Sequence, residues 1–332
     1  MFLEKVYEGK NDIGRWIAMI VILLIVTQFV GGIPLGIMIF LKLSDNPDLE
    51  PNPDNLLDLS AYDIPPITGL AMMIIPFILG LITLLLLMKP IHERPMRSVL
   101  TGHSSFRWKK FFWGAGLWLM LLAVYAIFVT ITGIQKIELQ FDPATLFSLA
   151  VVSALLLPLQ TGFEEVFFRG YLLQGFAKLF KYRWLTLILT SLLFGSLHFF
   201  NPEVKEFGPM ITMPQYIGFG ILFGICAIMD EGLELAWGVH AINNIFLSVF
   251  FTQASSALQT PALYRITEYN PMFDMFALFA ISILFILVAR RRFKWPEWQY
   301  LLAKIDTPDA KEDEEEYPPG YMEDEYDEYD EK

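Results

Sequence analysis

Eight long apolar segments recur along this chain of 332 residues, and they constrain its fold more than any other feature. Each has roughly 17–25 mostly apolar residues, the length that an α-helix needs to cross the hydrocarbon core of a bilayer. The predicted spans are 16–41, 67–88, 111–133, 146–172, 184–200, 210–229, 232–252 and 272–290. Hydrophobic residues make up 55% of the chain, more than a soluble domain needs for its core. The sequence therefore predicts an all-α polytopic membrane protein with about eight transmembrane helices.

The connections between these spans differ in charge. The loop at 44–66 contains no Lys or Arg. Three other segments are rich in both residues: 89–110, 178–183 and 290–294. Because basic loops stay on the cytoplasmic side, we expect a multi-pass protein of the cell membrane with both termini in the cytoplasm. The histidines of the first basic segment, His92 and His103, are predicted to be solvated.

Composition also divides the chain. Residues 306–332 hold 14 of its 36 acidic residues and are predicted to form a disordered cytoplasmic tail. The rest divides into a three-span region at 1–145, a core at 146–252, and a last span with an interfacial segment at 253–305. A single cysteine excludes an internal disulfide framework, and nothing in the charge pattern indicates nucleic-acid binding. Membrane lipid is the expected environment of the predicted spans.

Two adjacent glutamates lie within the fourth apolar segment. Burying carboxylates at membrane depth is costly, so such residues usually have a function. On a helix Glu165 and Arg169 share a face and can pair, whereas Glu164 points about 100° away and is free of that partner. The alternative is that both glutamates merely neutralise Arg169.

Histidines occur in two later apolar segments. His198 ends the fifth segment, and His240 and Asn244 lie one helical turn apart in the seventh, so their side chains face the same way. Asn243 faces elsewhere and is the weaker candidate. Hydrogen bonding between helices is the commoner role for a histidine such as His198 taken alone, and it stays an open alternative for His240 and Asn244.

Chain geometry brings these groups to a common level. If the chain turns near Lys181, equal path lengths of 17 residues place Glu164 and His198 at matching depth, about 20–25 Å from the turn. Asn244, 13 residues beyond a turn at Glu231, comes to roughly 20 Å. A carboxylate and an imidazole that share a water can act as a general base, and an imidazole and a carboxamide opposite can stabilise an oxyanion. The sequence therefore favours hydrolysis of a peptide bond.

Three motifs carry a family resemblance: Glu-Glu-x-x-x-Arg at 164–169, Phe-x-x-x-His at 194–198 and His-x-x-x-Asn at 240–244. In this order they resemble the CPBP family of intramembrane proteases, which includes type II CAAX prenyl endopeptidases and bacteriocin-processing or immunity proteins. The resemblance covers about 146–252. It implies a CAAX prenyl protease-like helical bundle acting on a prenylated or other membrane-associated peptide.

The resemblance also implies a role for each site residue. Glu164 and His198 would activate water, His240 and Asn244 would stabilise the oxyanion, and Glu165 with Arg169 would support the site. A carboxylate with two histidines is also a zinc-binding set, here Glu164, His198 and His240. The family's glutamate-type mechanism nevertheless resembles metal-free water activation, so no cofactor is favoured and zinc stays an alternative.

Two other classes of function fit the same polar residues. In a proton-coupled transporter, Glu164, His198 and His240 would relay protons across the bilayer. In a non-catalytic membrane immunity or partner protein, they would only hold helices together. The depth of His198 adds a further question, since it lies near the outer end of its span: either the fourth and fifth helices extend beyond the bilayer, or the site is reached from the outer side.

Overall fold

A computed structural model describes residues 1–51 and 58–306 of the chain. The predicted acidic tail lies outside the described residues, apart from Asp306. The described chain is mainly helical. Its α-helices are α1 Ile13–Leu24, α2 Ile33–Asp45, α3 Pro66–His92, α4 Trp108–Thr132, α5 Pro143–Glu165, α6 Leu173–Phe180, α7 Arg183–Ser196, α8 Pro202–Phe207, α9 Pro209–Met229, α10 Glu234–Phe250, α11 Pro271–Phe293 and α12 Gln299–Leu302.

Local sequence explains where several helices begin and end. Proline is the first residue of α3, α5, α8, α9 and α11, where its missing N–H costs no hydrogen bond and its fixed φ suits the helix. Left-handed residues follow α3, α6 and α11, at Glu93, Lys181 and Lys294. The turn predicted near Lys181 is therefore present, and Glu231 has a positive φ of 57° in the turn between α9 and α10.

Each of the eight predicted spans corresponds to a helical segment. Within the described part of the chain, six helical segments are long and apolar enough to cross a membrane: Ile13–Asp45, Pro66–His92, Trp108–Thr132, Pro143–Phe180, Pro209–Met229 and Pro271–Phe293. The other two are α7 with 14 residues and α10 with 17. At 1.5 Å per residue they rise only about 21 and about 25 Å, less than the roughly 30 Å hydrocarbon core. The chain is thus a multi-pass membrane protein.

The two shorter helices lie inside the bundle or against it. α10 packs on α4, α5 and α9, and α7 packs on α9. Most of α10 is buried, whereas α11 buries only Ser282, Phe285 and Ala289. Large apolar side chains such as Phe29 and Phe147, each 72% exposed, point outward from the peripheral helices, as lipid contact requires.

A small sheet joins two connections at one end of the bundle. Strand β1 (Lys136–Leu139) pairs antiparallel with β3 (Tyr264–Glu268), and β2 (Phe251–Thr252) pairs parallel with β3. β1 and β3 lie in connections between the predicted spans, whereas β2 replaces the end of the predicted span 232–252. Strands this short carry too little alternation of apolar and polar residues to be recognised.

The two ends of the described chain meet at the opposite end of the bundle. The backbone N–H of Phe2 and the hydroxyl of Tyr300 both donate to the Glu231 carboxylate. Arg183 contacts Glu4 at 2.6 Å and also donates to the carbonyl of Lys304. The N-terminal segment and the segment after α11 are therefore held by the same two turns.

This packing corrects one prediction. His92 is fully buried rather than solvated, because residues 1–11 fold over the end of α3. Its Nδ1 donates to the carbonyl of Lys10 at 3.0 Å, and its Nε2 lies 2.9 Å from the Tyr171 hydroxyl, which donates to it. The nearby guanidinium of Arg94 is also buried, and this burial lowers the pKa of Arg94 to about 10.

Candidate active site

A π-helix begins directly after the two glutamates and contains Arg169. α5 ends at Glu165, and a π-helix runs from Val166 to Leu172 before α6 begins. Such insertions are rare and frequently lie at functional sites. Gly170 lets this turn approach its neighbour, because a Cβ there would lie 2.2 Å from the carbonyl oxygen of Val99. The π-helix that follows the glutamates is thus packed against the α3–α4 connection.

Glu165 is the centre of a buried ion pair network. Its Oε1 lies 3.1 Å from Nη1 of Arg169, so the predicted pair forms. The same oxygen accepts a 2.8 Å hydrogen bond from Nδ1 of His240, which the sequence did not predict. Neither Glu165 nor Arg169 is exposed. Burying these charges is tolerable because each has an opposite charge or a hydrogen-bond partner beside it.

Aromatic rings enclose this network. The Arg169 guanidinium lies 4.2 Å from the ring centre of Phe194 and 5.2 Å from that of Phe223. The ring of Phe223 also stacks on His240 at 4.6 Å. A cation over an aromatic face is stabilised by the ring quadrupole. Phe194, the first residue of Phe-x-x-x-His, therefore does more than fill space in the bundle.

Glu164 lies beside the network without joining Arg169. Its Oε2 is 3.6 Å from Nε2 of His240, and its Oε1 accepts a 3.1 Å hydrogen bond from the side-chain amide of Gln160. The side-chain carbonyl of Gln160 is buried and has no hydrogen-bond partner. Gln160 was missed in the sequence, although its position one turn before Glu164 was the available signal. We call Glu164, Glu165, Arg169 and His240 the site cluster.

His198 lies next to the site cluster, beyond the last residue of α7. It makes no hydrogen bond or ion pair with Glu164 among the described contacts. Its Nδ1 is 2.8 Å from the carbonyl oxygen of Phe194, which can only accept, so this nitrogen carries the proton. Nε2 is then the basic nitrogen of the ring. The ring of Phe194 contacts both histidines, with its centre 4.8 Å from that of His198 and 6.1 Å from that of His240.

The two asparagines of α10 are linked. Asn243 is buried, accepts a 3.2 Å hydrogen bond from the Trp118 indole, and donates to Oδ1 of Asn244 at 3.3 Å. Asn244 is half-buried one turn after His240. Since its carbonyl is already occupied, its amide N–H groups are what it can offer to another acceptor. Asn243 thus orients Asn244, a role that the sequence did not indicate.

The three residues of the zinc alternative, Glu164, His198 and His240, are not arranged to bind a metal ion together. Throughout residues 1–51 and 58–306, no three His, Cys, Asp or Glu side chains are spaced to hold a metal ion. Nδ1 of His240 is bonded to Glu165, and Nδ1 of His198 to a carbonyl. On each imidazole, Nε2 is therefore the nitrogen that remains for a further partner.

Helix lengths bear on the depth of the site. The helical segment Pro143–Phe180 has 38 residues. It rises about 57 Å, well beyond a hydrocarbon core of roughly 30 Å. Glu164 therefore lies on a helical segment longer than the hydrocarbon core is thick, whereas α7 before His198 is shorter than that core.

Comparison with known proteins places this region in a family. Residues 143–246 match the family described as type II CAAX prenyl endopeptidase Rce1-like. The uncharacterized protein YyaK of Bacillus subtilis (strain 168) is 33% identical over 199 residues, covering 59% of this chain and 66% of YyaK, so the match spans just under two thirds of that relative. No solved structure matches the chain. The segment that contains the site cluster, His198 and Asn244 therefore matches the Rce1-like family of CAAX prenyl endopeptidases, within a multi-pass membrane protein.

Proposed function

We propose that this chain is an intramembrane endopeptidase of the CPBP type, which hydrolyses a peptide bond in a membrane-associated peptide. One observation carries the proposal. Glu164 is only 8% exposed within a long apolar helix, yet it has no cationic side chain within 3.5 Å and lies between the amide of Gln160 and the imidazole of His240. A carboxylate that no cation holds directly has oxygen lone pairs available to accept a proton from a bound water.

The reaction begins with a water molecule between Glu164 and His198. Because Nδ1 of His198 is committed to the carbonyl of Phe194, Nε2 is free to accept a hydrogen bond from this water. The water attacks the substrate carbonyl carbon while its proton passes to Glu164. Glu164 then gives this proton to the leaving amide nitrogen as the C–N bond breaks. The products are a carboxylic acid and an amine.

The oxyanion is stabilised from α10. The Asn244 amide donates one hydrogen bond, and Nε2–H of His240 donates another. His240 already donates from Nδ1 to Glu165, so it must carry a proton on both nitrogens in this step. The carboxylates of Glu164 and Glu165 lie within 4 Å of the ring and balance its charge. Glu165 and Arg169 hold the imidazole in place rather than react.

The proposed reacting groups all lie within 146–252, which we take as the catalytic core. We place both termini in the cytoplasm, since the described chain ends meet at one end of the bundle and that end carries the basic connections. A lipidated peptide is the substrate class we propose, with its lipid in the bilayer and its peptide at the site.

The test is cleavage of fluorogenic peptides by the purified protein, with prenylated, acylated and unmodified versions of one sequence. We expect cleavage of a lipidated peptide, its loss in Glu164→Gln and His198→Ala, and no loss in Glu138→Gln or His103→Ala, which alter an exposed glutamate and an exposed histidine. Full cleavage by Glu164→Gln would overturn the mechanism. Equal cleavage of all three peptides would overturn the substrate class alone.

A further inference from the structure

An aromatic ring from a second helix covers the face of His198. The ring of Tyr216, on α9, lies parallel to the imidazole, with ring centres 4.2 Å apart and planes inclined by 21°. α7 and α9 approach closely here, because a Cβ on Gly195 would lie 2.6 Å from the side chain of Ile217. The stacking is therefore set by the packing of two helices.

Tyr216 is itself fixed by polar contacts from α8. Its hydroxyl donates to Oε1 of Glu203 and accepts a 3.0 Å hydrogen bond from the amide of Asn201. Asn201 also reaches the same Glu203 oxygen at 3.3 Å. Glu203 and Asn201 are half-buried and directly follow the His198 turn in sequence. The residues that hold Tyr216 and the residue on which Tyr216 stacks thus belong to one short stretch of chain.

We propose that Tyr216 and Glu203 form a positioning pair that fixes the ring plane of His198. The hydrogen bond from Nδ1 to the carbonyl of Phe194 restrains one edge of the imidazole, and the Tyr216 ring restrains its face. Together these contacts leave Nε2 as the one open edge. Neither Tyr216 nor Glu203 reacts in this scheme; they act through His198, and the catalytic consequence rests on the proposed function.

Rate effects follow from this geometry, since a misplaced catalytic group can cost about 100-fold in rate. Tyr216→Leu removes the stacking, and we expect kcat to fall about 100-fold with KM unchanged, because in this scheme Tyr216 acts only through His198. Tyr216→Phe keeps the ring and loses the hydroxyl, so kcat should fall by about 3- to 10-fold. Glu203→Ala should lower kcat by as much as Tyr216→Phe does. Glu203→Gln should keep most of the wild-type kcat, because the glutamine carbonyl can still accept a hydrogen bond from the Tyr216 hydroxyl.

The experiment combines these kinetics with ¹⁵N NMR of the histidine side chains, of which the chain has only four. In the wild-type protein we expect His198 to show protonation at Nδ1. In Tyr216→Leu, the His198 ring should no longer show this single protonation state. Tyr264→Leu removes a half-buried tyrosine that stacks on Phe251 and makes no described contact with His198, so it should keep the wild-type state.

Two results would overturn the positioning role: an unchanged His198 signal in Tyr216→Leu, or a change in KM without a change in kcat. If the wild-type protein cleaves no peptide, the proposed function fails. The NMR comparison then decides the positioning pair independently.

Discussion

Two buried charge clusters lie six residues apart on α10, and they are built differently. At the start of the helix, Glu234 pairs with Arg107 through both carboxylate oxygens, at 3.1 and 2.8 Å. Asp230 completes this end cluster, with Arg107 and Lys110 each at 2.9 Å. The site cluster around His240 instead has two carboxylates for one guanidinium and one imidazole.

The difference teaches how burial of charge relates to function. The end cluster has two cations for two anions, and the Trp295 indole donates a further 2.8 Å hydrogen bond to Asp230, so it serves to join α4, α10 and the segment after α11. In the site cluster, Glu164 is left with an amide and a distant imidazole. Excess negative charge at membrane depth is costly, so ionisable residues kept there are candidates for a functional role.

The largest expected effect comes from Glu164. Changing Glu164→Gln removes the proposed proton acceptor but keeps the shape of the side chain, so we expect kcat to fall about 1,000-fold. The melting temperature should stay within about 2 °C, because no ion pair to an arginine or lysine is lost. Peptide cleavage and thermal unfolding of the same preparation measure both. A large loss of stability with retained cleavage would reverse the comparison.

Changes in the end cluster should lower stability and leave the rate of cleavage nearly unchanged, the reverse of the effect expected at Glu164. Glu234→Ala removes a fully buried partner of Arg107, and we expect a loss of about 3 kcal/mol in unfolding free energy. The rate per folded molecule should stay within twofold. The double variant Arg107→Met with Glu234→Met should recover most of the stability, since replacing a whole buried pair is often neutral.

The matched control for Glu234→Ala is Glu268→Ala, which breaks an ion pair with Lys136 in which both side chains are 66% exposed. Exposed pairs contribute under about 1 kcal/mol, so this variant should unfold almost as the wild type does. Denaturation in mixed micelles measures all four proteins. Equal losses in Glu234→Ala and Glu268→Ala would contradict a structural role for the end cluster.

A smaller effect is expected at Gln160. Gln160→Leu removes the amide that orients Glu164, and we expect a fall of about 10-fold in kcat because the carboxylate loses one restraint. Stability should change little. Gln140→Leu, at an exposed glutamine, is the control for the substitution itself. A normal rate for Gln160→Leu would mean that His240 alone orients Glu164.

The smallest effect is expected from chelation. Because no three donors of the described chain are spaced for a metal ion, treatment with a strong zinc chelator should leave the cleavage rate within about twofold. Loss of activity that added Zn²⁺ restores would instead favour the zinc set of Glu164, His198 and His240.

The sequence by itself determined the helices and the candidate residues. A run of about 20 apolar residues is a local property, so each of the eight spans could be read without knowing its neighbours. The pair of Glu165 with Arg169 was equally local, since it needed only helical spacing. The three motifs also sufficed for the resemblance to CAAX proteases that the family match supports.

Tertiary structure alone decided which side chains meet. His240 lies between the two glutamates, Gln160 bonds Glu164, and Tyr216 covers His198, because α5, α9 and α10 pack at one level. His92 is buried because the N-terminal segment folds over it. Such contacts depend on helix rotation and packing between distant parts of the chain, and hydrophobic runs do not encode the rotation of one helix against another.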